Sequence, residues 1–408
     1  MVESSWKTTT ALFMTSQGFS LLGSMLVQYA LMWHLTITTQ SGEVMTLAII
    51  VGFIPMLLIS PFAGAWADRL PKRMLIAAAD ALAALSTVAL FIALLFGYDD
   101  LWVILAAMGL RAVGQAIQSP AVSAILPEIV PEEHLLRING YNGALQSGVG
   151  LVSPLLAGAL LTLMPMQWVL LIDVVTAAFA IVIMLVLVKV AHTPSDAEPV
   201  GALRDIRDGF VYVWQHRFVR RLFWYFAVSF FLAAPVSFLT PLQVTRSYSN
   251  DVWRLTVIEM AFFVGMMLGG VLIGQWGGFR RKAATVAAAI VVMGAFAMLL
   301  GLEQPFWLYS AWMLLTGVFM PFMNAPTMTL LQTKVEPKFL GRVMSVMMMI
   351  STSVMPLGML VFGPMADRVR IEWILLATGG LMVIGGLLML LDRTIRRGEP
   401  RVAEATAS

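Results

Sequence analysis

From Trp373 to Leu391 the chain carries no charged residue, and apolar runs of this kind recur along its whole length. A hydrocarbon core holds no water to satisfy backbone N–H and C=O groups, so a run of about 20 apolar residues that enters it must be helical. Such runs fall at about Thr10–Thr36, Glu43–Trp66, Met74–Phe96, Leu101–Leu126, Asn139–Leu163 and Trp168–Val190. After a polar interval they resume with a run ending near Gln243, then Leu255–Trp276, Ala283–Leu300, Phe306–Leu331, Val343–Phe362 and Trp373–Leu391. A mean hydropathy of +0.85, with 59% hydrophobic and only 12% charged residues, is more apolar surface than a soluble globule can hide. A transmembrane β-barrel would instead alternate polar and apolar residues over segments of about ten. The expectation is an all-α polytopic membrane protein with twelve transmembrane helices.

Charge sets the expected orientation. With the N-terminus inside, only Arg246, Arg254, Arg368 and Arg370 fall outside and Arg111 falls within a span; the rest of the 26 Lys and Arg lie on the inner side. The positive-inside rule then places both termini in the cytoplasm. His192–Pro199 reads as a linker, and Leu203–Arg221 as a basic amphipathic helix on the inner surface that feeds helix 7. The expected domains are a six-helix bundle over 1–191, a cytoplasmic linker over 192–218, a second six-helix bundle over 219–391 and a polar tail over 392–408. The apolar run from Ala11 is too long for a cleaved signal peptide and lacks a cleavage site.

The two halves echo each other. Gly64-x-Trp66 precedes the charged hinge Asp68-Arg69-Leu70-Pro71-Lys72-Arg73, and Gly274-x-Trp276 precedes Arg280-Arg281-Lys282. Pro120, Val130, Arg137 and Pro154 recur, at nearly one offset, as Pro326, Val335, Arg342 and Pro356. Parallel six-helix repeats are one of the architectures of secondary transporters.

On these residues the chain resembles the major facilitator superfamily. Gly64-x-x-x-Asp68-Arg69-x-x-Lys72-Arg73 is similar to that family's signature between helices 2 and 3. Leu110-Arg111-x-x-Gly114-Gln115 resembles its helix-4 signature, with Gly and Gln transposed. Gly140, followed by Ser153-Pro154-x-x-Ala157-Gly158, resembles the helix-5 motif of antiporters with two glycines replaced. Ser119-Pro120-Ala121, Ile129-Val130-Pro131-Glu132-Glu133-His134-Leu135, Leu145-Gln146-Ser147, Phe339-Leu340-Gly341-Arg342-Val343 and Ala366-Asp367-Arg368 are similar to the macrolide-efflux branch. The resemblance implies two pseudo-symmetric bundles, drug:proton antiport, efflux, and a gating role for Asp68, whose carboxylate would face the N-terminus of helix 11. It also implies that Arg111 takes part in proton coupling.

Ionisable groups inside spans are costly and mark function. Arg111 is the base, and Asp80, Asp173 and Glu259 are the acids; all four are candidates for proton coupling, with Asp80 read first as a partner for Arg69 or Arg73. Gln17, Gln28 and Tyr29 on helix 1, Asn142 and Gln146 on helix 5, and Met323 in a Met- and Phe-rich helix 10 are candidates for a cavity lining. His34, beside Trp33, reads as part of an interfacial aromatic belt.

There is no Cys, no P-loop and no ligand cluster among the four His, so no metal, no cofactor and no enzymatic chemistry is expected. The expected partners are a small hydrophobic or amphipathic substrate, protons and lipid, with no nucleic acid. The expected protein is a monomer in a bacterial inner membrane, driven by the proton gradient. A siderophore or metabolite exporter, and a non-transporting sensor or scaffold, are the other readings.

Overall fold

A computed structural model describes residues 2–188 and 202–398, excepting the side chains at 2–5, 61, 64–65, 67–69, 136, 202–206 and 397–398. Among the described residues, twelve helical segments are long and apolar enough to cross a membrane. The chain divides into two compact units: residues 40–46 group with the second half, and the rest up to 188 form the first.

In the first unit α1 (Val2–Thr39), α3 (Lys72–Leu95), α4 (Leu101–Ile129), α5 (Glu132–Leu163) and α6 (Met166–Val182) pack together, and a π-turn over Ile183–Leu187 ends α6. The helix α2 (Gly42–Arg69) starts in the second unit and continues in the first. The most extensive contacts are α1 with α5 and α6, and α3 with α4 and α6.

The second unit opens with a short helix, α7 (Ala202–Gln215). The former helix 7 is two pieces, α8 (Arg217–Phe238) and α9 (Thr240–Ser247). The sequence predicts one continuous helix to Gln243; the break at Leu239 follows from Pro241, which has no N–H and whose ring crowds the preceding turn. Then come α10 (Val252–Trp276), α11 (Lys282–Leu300), α12 (Phe306–Lys334), α13 (Pro337–Ala366), α14 (Ile371–Leu391) and α15 (Arg393–Gly398). Here α8 packs on α13 and α14, and α11 on α12 and α14.

These contacts are those of the first unit moved along the chain: α1, α3, α4, α5 and α6 correspond to α8, α11, α12, α13 and α14. The echo seen in sequence has a local meaning. Val130 ends α4 and Val335 ends α12, each in extended backbone with its N–H on the carbonyl four residues back. Pro154 and Pro356 lie inside α5 and α13.

The amphipathic α7 packs on α13. Gly209 lies so close to the Arg342 carbonyl that a Cβ would sit 2.6 Å from it. The Tyr212 hydroxyl accepts the Glu336 N–H at 3.3 Å. Phe210, Val211 and Trp214 are exposed, as suits a helix lying at a membrane surface. The proposed linker at 192–199 lies outside the described residues.

Glycine brings α10 and α12 into backbone contact. A Cβ on Gly269 would sit 2.0 Å from the Val318 carbonyl, and one on Gly317 would sit 2.2 Å from the Phe262 carbonyl, whereas Gly270 faces open space. Close approach of this kind substitutes dispersion for the hydrophobic drive that helices lack in lipid. Gly269→Ala is therefore expected to destabilise by about 1–3 kcal/mol through overpacking, with Gly270→Ala close to neutral. Thermal unfolding of the two variants in detergent checks this.

Candidate functional site

Two layers of polar side chains are buried inside the first unit, on helices that are otherwise apolar. In one, Arg111 of α4 donates through Nη1 to the Asp173 carboxylate of α6 and to the Thr87 hydroxyl of α3. Its Nη2 reaches the Ser24 carbonyl of α1 at 3.3 Å. Thr87 itself donates to Asp173 Oδ2 at 2.9 Å. The pair is out of solvent, with Arg111 10% and Asp173 2% exposed. Gly23 makes room for it: a Cβ there would sit 2.0 Å from Thr176 Oγ1 and 2.9 Å from Asp173 Oδ1.

The other layer lies seven residues away along both α3 and α4, a spacing that returns to the same helix face after two turns. Asp80 Oδ1 accepts the Ser20 hydroxyl at 2.6 Å and the Gln118 amide at 2.8 Å. Gln118 also donates to Ser20 at 3.1 Å. Asp80 is 3% exposed, and its Oδ2 has no hydrogen-bond partner. Gln17, one turn before Ser20, is buried with its Nε2 unpartnered.

Several expectations change. Asp80 is not an ion-pair partner of Arg73, because it lies two turns into the span, where α1 and α4 reach it first. Arg73 donates instead to the Val188 carbonyl at 3.3 Å. Lys72 pairs with Glu128 at the end of α4, at 2.5 Å. The side chains of Gly64, Asp68 and Arg69 lie outside the described residues. Trp33 is no belt residue: it is 1% exposed and packs against Tyr29, because an indole this large is better spent filling the core. Gln17 is interior to the first unit, while Gln28 and Gln146 are exposed and Asn142 is half-buried. Gly140 faces open space, and Pro154 and Gly158 are buried on α5.

The sequence reading missed Ser20, Thr87 and Gln118. Their signal was available as polar residues seven apart, Asp80 with Thr87 and Arg111 with Gln118.

In the second unit a narrow cleft is lined by side chains from α8 and α10 to α14, including Met293, Met320, Met323, Met355 and Met382. Met323 is the one cavity candidate of the sequence found there. Met348, on the same Met-rich stretch, is exposed.

A further cluster within the second unit surrounds Asp367, whose stretch was family-like in sequence but whose partners were not evident there. Asp367, just past α13, accepts from Ser41 Oγ at 2.8 Å, Gly42 N at 2.7 Å, Glu43 N at 2.9 Å and Arg246 Nη2 at 2.6 Å. It thus caps α2 from a distant part of the chain, supplying the orphan N–H groups of a helix start with an anion. Arg246 also donates to the Ala366 carbonyl at 2.6 Å and to the Gln40 carbonyl. Gly42 and Gly363 let the backbones meet, since a Cβ on Gly42 would sit 2.2 Å from the Gly363 carbonyl.

Burial alone would push the Asp367 carboxyl up, but the Gly42 and Glu43 amides, Ser41 and Arg246 outweigh it and hold it below the usual aspartate value. A depressed carboxyl stabilises the fold above its unfolded pKa of about 3.9 and loses that contribution as pH falls through the folded value. Asp367→Asn is therefore expected to lower the thermal midpoint at neutral pH. The gap from the wild type should close only in acid below the ordinary aspartate range, as followed by thermal unfolding across pH.

The sequence profile of the Major Facilitator Superfamily matches residues 8–359. The chain is 26% identical over 396 residues to macrolide efflux protein A of Streptococcus pyogenes, covering 96% of this chain and 98% of that protein. It is 26% identical over 361 residues to the multidrug efflux pump Tap of Mycolicibacterium fortuitum, covering 84% and 85%. Among solved structures, a nucleoside transporter superposes with a TM-score of 0.72 at 12% identity, covering 94% of this chain and 98% of that one. A bacterial homologue of the human lysosomal transporter Spinster superposes with a TM-score of 0.71 at 15% identity, covering 96% and 98%.

Proposed function

Because the chain belongs to the major facilitator superfamily, whose profile spans most of it, we propose that it exports hydrophobic or amphipathic compounds in exchange for protons. The observation that carries the proton half of this reading is the pair of buried polar layers in the first unit. A lone carboxylate out of solvent is costly, and its charge is removed either by a cation or by a proton. Asp173 has a cation, Arg111. Asp80 has none among the described residues, and both its donors sit on one oxygen. Its other oxygen, bare of partners, is the place for a proton. Asp80 is thus the exchanging acid, and Arg111 with Asp173 is the fixed charge pair that responds to its state.

Export of apolar compounds is supported by likeness to two efflux proteins and by the methionine-lined cleft, whose flexible thioethers accept varied shapes. Coupling requires two conformations whose balance shifts with the proton. Asp68 is the proposed gating residue, on the likeness of its loop to the family signature, and Asp68→Asn should lower transport without lowering membrane insertion. A scaffold would have no use for a buried Arg111–Asp173 pair, which favours a transporter over that reading. The charge distribution supports a bacterial inner-membrane location with both termini in the cytoplasm, and the proton gradient supplies the energy.

Asp80→Asn is expected to abolish substrate movement driven by an imposed pH gradient in proteoliposomes, while downhill movement of a macrolide persists. Unchanged gradient-driven transport would remove the assignment. Asp173→Asn leaves Arg111 buried without its partner, at a cost of about 3–5 kcal/mol. The double change Arg111→Gln with Asp173→Asn should recover much of the lost thermal stability yet remain uncoupled.

A further inference from the structure

We infer that the cavity between α11, α14 and α15 is a binding site for an anionic phospholipid. The phosphodiester lies between Arg281 and Arg396, and an acyl chain runs from there along α14. The inference stands apart from the exporter reading and needs only that α11 and α14 span a membrane.

The cavity, of about 90 Å³, opens where α14 runs into α15 beside the start of α11. It has room for several waters, and so for a headgroup-sized anion. Arg281, at the N-cap of α11, and Arg396 of α15 line it together with Ala284, Met389, Leu390 and Ile395. The wall thus joins two permanent positive charges to an apolar floor, and among the described residues no acid lines it. A cation is repelled there, and a neutral apolar ligand leaves both guanidinium groups unused.

Nearby bases of the second unit are engaged. Lys282 donates to the Gly277 carbonyl at 2.6 Å, Arg342 pairs with Asp208 at 3.7 Å and Lys338 with Glu336 at 3.0 Å. Asp392, at the end of α14, is engaged as well. It accepts the Tyr225 hydroxyl at 3.2 Å and the Thr394 N–H at 2.8 Å, and lies 3.8 Å from Arg221. Among the described residues, the guanidinium groups of Arg281 and Arg396 have neither a hydrogen bond nor an ion pair. A guanidinium presents forked donors that match phosphate oxygens, so two of them on one small cavity suit a phosphodiester.

A free phosphate would use the arginines alone; the apolar side of the site favours a lipid. Leu390 at the cavity and Leu387 one turn away are exposed, and Val383, a further turn along that face, is half-exposed. Beside this track α14 lies close on α11, since a Cβ on Gly386 would sit 2.8 Å from the Ala287 carbonyl. An acyl chain leaving the headgroup therefore finds an apolar seam leading into the span. In the orientation that the charge distribution supports, the site faces the cytoplasmic leaflet, whose anionic lipids attract basic groups.

The test adds dioleoyl phosphatidylglycerol or dioleoyl phosphatidylcholine to the full chain in a neutral detergent and counts bound lipid by native mass spectrometry. The wild type should hold the anionic lipid at least tenfold more tightly than the zwitterionic one. Arg281→Gln with Arg396→Gln should weaken phosphatidylglycerol about thirtyfold, the loss of two basic contacts of about 1 kcal/mol each. Arg281→Lys with Arg396→Lys, which keeps the charge, should retain most of the binding. Arg280→Gln with Arg393→Gln removes two exposed bases that do not line the cavity, and should cost only a few-fold.

Equal affinity of the wild type for the two lipids would overturn the inference. So would equal losses in the cavity pair and the control pair, which would leave only a general attraction to basic surface. Displacement of the lipid by millimolar glycerol 3-phosphate would assign the cavity to a soluble anion instead.

Discussion

A guanidinium inside a membrane span has to be satisfied by protein, and Arg111 draws four helices around itself to achieve this. It sits on α4, its Nη1 reaches α6 and α3, and its Nη2 reaches the backbone of α1. Each contact replaces a water that the surroundings cannot supply. The neighbours are cut to fit: Gly23 gives up its side chain where Asp173 and Thr176 press in, and Gly114 does the same where α4 meets the Ala79 carbonyl. The first unit is thus ordered about a charge.

The second unit repeats four of the first unit's helix pairs, adds a close α10–α12 pair, and has a different filling. Where the first has carboxylates and amides in its interior, the second has methionines and a buried Gln243 that accepts the Tyr309 hydroxyl at 2.9 Å. Its helices meet through glycine, at Gly265 and Gly269 against α12 and at Gly294 against Gly379. One repeat architecture therefore carries two kinds of interior, one polar and tightly specified, the other soft and adaptable.

The helices and the repeat were legible in the sequence because hydrocarbon leaves the backbone no other solution and because proline and loop bases recur at one offset. The chemistry was half legible. Arg111, Asp80 and Asp173 stood out by their cost, but their partners did not, since Ser20, Thr87 and Gln118 look like ordinary small or amide residues until α1, α3 and α4 are brought together. Asp367 was hidden for a different reason. It stood out only as part of a family-like stretch, and its role stayed hidden because the helix start that it caps lies more than three hundred residues earlier. The break at Leu239 was readable from Pro241, yet hydropathy runs straight through it.

The seven-residue interval between the polar layers has an electrical meaning. Two turns of helix put them about 10 Å apart, too far for a proton to pass directly from one carboxyl to the other. Charges at that separation still interact by roughly 1.5 kcal/mol at an effective dielectric constant of 20. The two acids can therefore communicate through a field rather than through a wire: discharge of Asp80 would be felt at the Arg111–Asp173 pair with no atom carried between them.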